Sequence, residues 1–292
     1  MSLLSRIEYQ SGFSELEKKI ADYLIEHKED VIHMNLKELA KATYTSTATI
    51  SRFCKKVGEK NFNDFRVHFA EVTQSQSFAT VNFNRPFLPD SSVGEIQYNI
   101  SDIYKQTIDG TNLVLDLNEL NRAVDCIDQT NIIDIFGFGD SYLTAQLFEH
   151  KMTYVNKYVN LKAIPTEQNQ QALYTNKDTV AIVISYSGET NELIKIAKIL
   201  KEKKTPIIVL TSIGDNRLSH YANYILNIGS REKIFTKIAP FASQTSIEYI
   251  LNVIFSCLFK KDYQTNIQNK ISYDTENDVR HPLHSPVNDI IE

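Results

Sequence analysis

Over residues 1–72 apolar side chains return every three or four positions, the spacing of helices buried along one face. Ser14-Glu-Leu-Glu17 reads as a capping box: the serine hydroxyl closes free amides of the first turn and the glutamate reaches back. Leu16, Ile20, Tyr23 and Leu24 then form the stripe of that helix. Asn35-Leu-Lys-Glu38 repeats the signal and opens a shorter helix with Leu36, Leu39 and Ala40. After Thr43-Tyr44-Thr45 a third helix starts near Ser46. It sets Ile50, Phe53, Cys54 and Val57 at i, i+3, i+4 and i+7 and stops at Gly58, a residue favoured just past helix ends. Phe62, Phe65, Phe69 and Val72 mark a fourth.

Beyond residue 75 this period is lost. Residues 76–92, rich in Ser and Asn and carrying Pro86 and Pro89, are expected to link a first domain, 1–75, to a second, 93–260. In the second, Ile96, Ile100 and Ile103 mark one helix, and Asp116-Leu-Asn-Glu119 caps another that reaches Ile127. Five short apolar runs follow: IIDIFGFG (132–139), VNLKAI (159–164), TVAIVIS (179–185), TPIIVL (205–210) and ANYILNI (222–228). Strands apolar at nearly every position are buried on both faces. They predict an all-α domain followed by an α/β domain, with a parallel sheet of about five strands and helices on both faces. A last amphipathic helix spans about 244–259, and residues 261–292, with Pro282 and Pro286, read as a polar, poorly ordered tail.

With 292 residues, 42% of them hydrophobic, the chain can fill two cores. Its net charge of -5 names no partner. Cys54, Cys126 and Cys257 lie far apart without a CxxC pair, which excludes a disulfide framework and a cysteine zinc site and fits a reducing cytoplasm. No apolar run approaches the about 18 residues of a membrane span, and MSLLSRIEYQ lacks the build of a signal peptide. No metal or cofactor is expected.

Local charge is more informative. Residues 36–70 hold seven Lys or Arg against three acids, whereas residues 1–35 hold four against seven. On the third helix Ala48, Arg52 and Lys55 project opposite the apolar stripe, with Thr49, Ser51 and Lys56 on its flanks. A short helix, a tight turn and a second helix with a cationic face describe a helix-turn-helix, whose second helix enters the major groove of double-stranded DNA. The small residues Thr47, Ala48, Thr49 and Ser51 allow close approach to base edges, while Arg52, Lys55 and Lys56 reach phosphates or guanine. A solvated amphipathic helix would show the same charge. The segment LKELAKATYTSTATISRFCKKVG resembles the DNA-binding segment of the RpiR family of bacterial transcriptional regulators over roughly residues 1–75. Tyr44 departs from it, standing where that family's turn often has glycine.

Two hydroxyl-rich turns end apolar strands. ISYSGET (184–190) surrounds Gly188 with Ser185, Ser187 and Thr190, and Gly137-Phe-Gly139-Asp140-Ser141 runs into another helix. Helix starts at the carboxyl ends of parallel strands present unpaired amides that attract an anion, above all a phosphate. Ordinary helix caps are the competing reading of Ser141, Ser187 and Thr190. A dinucleotide fingerprint fails because Tyr142 replaces its third glycine, and a P-loop fails because no lysine follows either turn. Taken together, IFGFGDSY and VISYSGETNELIKIAKILKEKKTPIIVLTS resemble the sugar isomerase (SIS) domain, of flavodoxin-like type. That resemblance implies that Ser141, Ser185, Ser187 and Thr190 hold the phosphate of a phosphosugar, with Gly139 and Asp140 beside it, and that Glu232 faces the sugar.

An aldose–ketose isomerase is the alternative function. It needs a positioned base, for which Glu232, Glu167, His150 and His220 are candidates, none in a motif that marks it as catalytic. A basic helix-turn-helix has no use in such an enzyme. The expectation is a regulator, not an enzyme, that binds operator DNA as a homodimer or tetramer under control of a sugar phosphate; Ile96, Ile100, Ile103 or the 244–259 helix could serve self-association or simply the core.

Overall fold

The computed structural model describes residues 3–10, 12–74 and 81–277. Among the described residues, six helices form the N-terminal part: α1 (Leu3–Tyr9), α2 (Glu15–Glu26), α3 (Lys28–Val31), α4 (Leu36–Ala42), α5 (Thr47–Lys56) and α6 (Phe62–Gln74). Both expected capping boxes are present, with Ser14 and Glu17 closing α2 and Asn35 and Glu38 closing α4. The apolar stripes meet in one core of Ile7, Ile20, Leu24, Leu39, Ile50, Phe53, Phe65 and Phe69. Burial pushes the Cys54 thiol up to about 12, so this cysteine is packing material without nucleophilic character.

The rest alternates helix and strand: α7 (Val93–Val114), α8 (Leu117–Asp128), β1 (Ile132–Phe136), α9 (Asp140–Met152), β2 (Tyr158–Leu161), α10 (Pro165–Tyr174), β3 (Thr179–Ile184), α11 (Asn191–Glu202), β4 (Ile207–Ser212), β5 (Tyr224–Ile228), α12 (Phe241–Lys261) and α13 (Tyr263–Asn277). All five expected strands form, all parallel, in the order β2-β1-β3-β4-β5. Alternate strand residues feed two cores. Ile133, Ile135, Val180, Ile182, Ile208 and Leu226 pack against α8, α9 and α12. Phe136, Ala181, Val183, Ile207 and Val209 pack against α11 and Ala172 of α10.

Two expectations need correction. From Val81 onward the expected linker is seated: Val81 and Phe83 are buried with Ile103 of α7 and Ala242 of α12. Two apolar residues at alternate positions suffice for this, a signal hidden among the polar ones; residues 76–80 lie outside the described residues. The expected irregular tail begins as α13. Its polar composition concealed buried Asn266, whose side-chain amide donates to the Phe259 carbonyl at 3.1 Å near the end of α12; residues 278–292, with Pro282 and Pro286, lie outside the described residues. Among the surfaces considered for self-association, Ile103 is wholly buried and α12 supplies core along most of its length.

Candidate DNA-reading helix and anion site

The turn between α4 and α5 closes by two backbone bonds, Thr45 N–H to Ala40 O at 2.8 Å and Tyr44 N–H to Lys41 O at 3.2 Å. This double closure forces the residue between them into the left-handed region. That residue is Tyr44, at φ 52° and 96% exposed. An L side chain there costs about 1–2 kcal/mol, which glycine avoids at a smaller entropic cost. Tyr44→Gly is therefore expected to stabilise the N-terminal domain by about 1 kcal/mol, read as a rise in the urea midpoint; an unchanged or lower midpoint contradicts this.

On α5, Ser46 caps the start by accepting from the Thr49 amide at 3.1 Å. Thr47, Ala48, Arg52 and Lys55 are exposed, and Arg52 and Lys55 carry no ion pair among the described residues. Thr49 and Ser51 are half-buried; their hydroxyls bond Ser46 Oγ at 2.9 Å and Thr47 O at 2.9 Å. Lys56 differs from its neighbours. Its ammonium donates to Glu17 Oε2 at 2.7 Å and Gly12 O at 2.6 Å, tying α5 to α2. The far end of α5 is held from α1: Arg6 donates to the Val57 carbonyl at 3.1 Å, a cation at a helix C-terminus.

In the sheet, β1 turns to β2 on one side and β3 continues to β4 on the other, so the β1/β3 boundary is the topological switch point where such sheets bind ligands. Residues 137–141 and 185–190 leave the sheet there, side by side, since the position of a Gly137 Cβ lies 3.5 Å from Ile184 O. The helices they start, α9 and α11, cover opposite faces, and neither start is closed by a side-chain cap. Two helix starts thus open on one edge, with the Ser141 amide turned back to the Phe138 carbonyl at 3.2 Å.

Ser185 and Thr190 share a hydrogen bond at 3.2 Å, and Ser187 Oγ accepts from the Glu189 amide at 3.2 Å. Ser141 and Ser187 are half-buried, while Gly139 and Asp140 are exposed. Gln168, wholly buried on α10, holds the first turn by accepting from Gly137 N at 3.2 Å and donating to Gly137 O at 2.8 Å. Sequence reasoning missed it, because a glutamine in a helix carries no signal of what it faces. Gly188, at φ 66°, is filled from within: a Cβ there would lie 2.0 Å from Asn216 Oδ1. Glu189 pairs with Arg217 at 2.6 Å; the Arg217 amide and guanidinium hold its carboxyl below the usual range.

Glu232 is buried with its carboxylate turned to the start of α12, accepting from the Ala242 amide, from Ser243 Oγ at 2.6 Å and from Lys237 Nζ at 3.0 Å. It anchors that helix. His150 bonds Tyr154 at 3.2 Å and His220 bonds Asp215 at 2.5 Å, both on the surface. Exposed Glu167 lines a cleft of about 570 Å³ with Asp134, Tyr158, Asn160 and Gln171, on the α10 side of the β2 edge, away from both turns.

A family profile described as a helix-turn-helix domain of the rpiR family matches residues 1–76, and one described as a SIS domain matches residues 127–253. An HTH-type transcriptional regulator of Caldanaerobacter subterraneus is 30% identical over 256 residues, 88% of this chain and 89% of that one. HexR of Escherichia coli, also an HTH-type transcriptional regulator, is 29% identical over 73% of each chain. Among solved structures, NanR of Vibrio vulnificus complexed with ManNAc-6P superposes with a TM-score of 0.59 at 23% identity, covering 96% of this chain and 100% of that one.

Proposed function

This chain belongs to the RpiR family of helix-turn-helix transcriptional regulators with a SIS domain, and from that premise we propose that a phosphorylated sugar bound at the β1/β3 switch point controls its affinity for operator DNA. The observation that carries the reading is the pair of uncapped helix starts, α9 and α11, opening side by side with Ser141, Ser185, Ser187 and Thr190 around them. Amides from two helices and four hydroxyls match the several oxygens of a phosphoryl group and need no metal or cofactor. NanR, whose SIS fold this chain shares, was solved with a sugar phosphate. Arg52 and Lys55 take the phosphates or guanine edges of DNA, with Thr47, Ala48, Thr49 and Ser51 at the base edges.

Lys56 has a different part. Already committed to Glu17 and Gly12, it sets the pose of α5 and contributes less to DNA. The isomerase alternative is weaker, because the Glu232 carboxylate is spent on Ala242, Ser243 and Lys237, and contact with a sugar would require it to release one of them.

The test is the double substitution Ser187→Ala with Thr190→Ala. Calorimetry should show sugar-phosphate affinity falling at least about 100-fold, because two hydrogen bonds to a charged group are worth roughly 1.5–3 kcal/mol each. Operator affinity without sugar should stay within about twofold. Unchanged sugar-phosphate affinity would remove the site from these turns.

A further inference from the structure

We propose that Arg231, in the loop after β5, is the residue through which the switch-point site and the DNA-reading helix are coupled, its ion pair with Glu8 acting as a latch between the two domains; the regulatory part of this rests on the function proposed above. Arg231 Nη1 donates to Glu8 Oε1 at 2.6 Å, on α1 of the DNA-binding domain. Its Nη2 donates to Gln106 Oε1 on α7, and its guanidinium lies 4.4 Å from the centre of the Phe83 ring. The side chains are only 20% and 9% exposed, so this is a sheltered, oriented pair, unlike the solvated pairs of the surface. Lys28 lies in the same field: burial lowers its pKa, Glu8 opposes that and Arg231 adds to it.

Both ends of the latch connect to function. On one side, Tyr186 stands between Ser185 and Ser187 in the candidate phosphate turn. Its hydroxyl donates to the Glu232 carbonyl at 2.5 Å and reaches the Ser230 carbonyl at 3.4 Å, the two residues that flank Arg231. Lys237, which also holds the Glu232 carboxylate, sits 5.0 Å from the centre of the Tyr186 ring. The loop is pinned at its root, where Gly229 lies so close to α7 that an added Cβ would stand 2.4 Å from Thr111 N and Cα. On the other side, α1 carries Arg6 two residues before Glu8, and Arg6 holds the Val57 carbonyl at the end of α5. A phosphoryl group that draws in the Ser185–Thr190 turn moves the Tyr186 hydroxyl, hence the backbone on both sides of Arg231, hence α1 and the end of α5. An effector acts only through its different affinity for the latched and unlatched arrangements.

Arg231→Gln and Glu8→Gln in the full-length protein provide the test, in two arms. The first needs no effector. Amide hydrogen exchange in α1 should rise about 10-fold or more in either variant, with the amides of β1 and β3 unchanged, because opening of the latch is local. Unchanged exchange in α1 overturns the latch. The second arm measures operator affinity by fluorescence anisotropy with and without saturating N-acetylmannosamine 6-phosphate or glucose 6-phosphate, alongside sugar-phosphate affinity by calorimetry. Whatever ratio wild type shows, within the usual 5- to 150-fold range of coupling, should fall to about twofold or less in Arg231→Gln, while sugar-phosphate affinity stays within about threefold. The double variant should be no worse than either single one. A full response in Arg231→Gln overturns the coupling role. If neither sugar phosphate binds or alters DNA affinity in wild type, the effector reading of the site fails for these ligands, and the exchange arm still decides the latch.

Discussion

Replacing Arg52 and Lys55 together by alanine is expected to lower operator affinity on the order of 100-fold, since one good guanidinium contact to a base or phosphate is worth about 1–3 kcal/mol and the lysine adds a further charge. The two side chains stand exposed on α5 with no ion pair among the described residues, so nothing in the fold depends on them. The expected signature is specific. Each lost phosphate contact removes nearly one counterion from the binding equilibrium, so the dependence of log affinity on log salt should flatten by about 1 to 2. Lys56→Ala provides the contrast: its ammonium is held by Glu17 and Gly12, so it should cost stability more than salt-dependent affinity. Fluorescence anisotropy across a salt series separates these outcomes. An unchanged salt slope in the double variant would move the DNA-binding surface off α5.

Gly188→Ala is expected to destabilise the SIS domain by about 3 kcal/mol, lowering its thermal midpoint by roughly 6–12 °C. Two costs add. The residue sits at φ 66°, where an L side chain costs about 1 kcal/mol or more. The new methyl would also lie 2.0 Å from Asn216 Oδ1 and 2.2 Å from its Cγ. Asn216 cannot easily yield. It is buried, donates to Thr211 Oγ1 at 3.2 Å and Ser212 O at 3.4 Å, and accepts from the Ser219 amide at 3.0 Å. A cycle with Asn216→Ala identifies the cause: if the clash dominates, the double variant should lose less than the sum of the two single losses. Strict additivity would mean that backbone strain alone carries the effect.

This pair also shows where sequence reading stops. The sequence shows Gly188 only as a glycine among three hydroxyl residues; the atom that occupies the space a side chain would need belongs to Asn216, 28 residues further on. Elements set by short-range chemistry were legible in the sequence: the two capping boxes, the five strands, and the left-handed turn at Tyr44 that glycine would have eased. Helix α1 and the seat of Val81 and Phe83 were not, because each shows only a few apolar residues whose partners lie far along the chain. Arg231 was invisible for the same reason. In GSREK it reads as one more surface charge, and only folding brings it to Glu8, 223 positions away.

The seating of Val81 has a consequence for kinetics. Between Gln74 at the end of α6 and that anchor only six residues intervene, a tether that spans at most about 20–25 Å when fully drawn out. Should the Arg231–Glu8 latch proposed above open, the N-terminal domain would stay confined near its dock at a local concentration in the millimolar range. Reclosure is then a first-order event whose rate does not change on dilution.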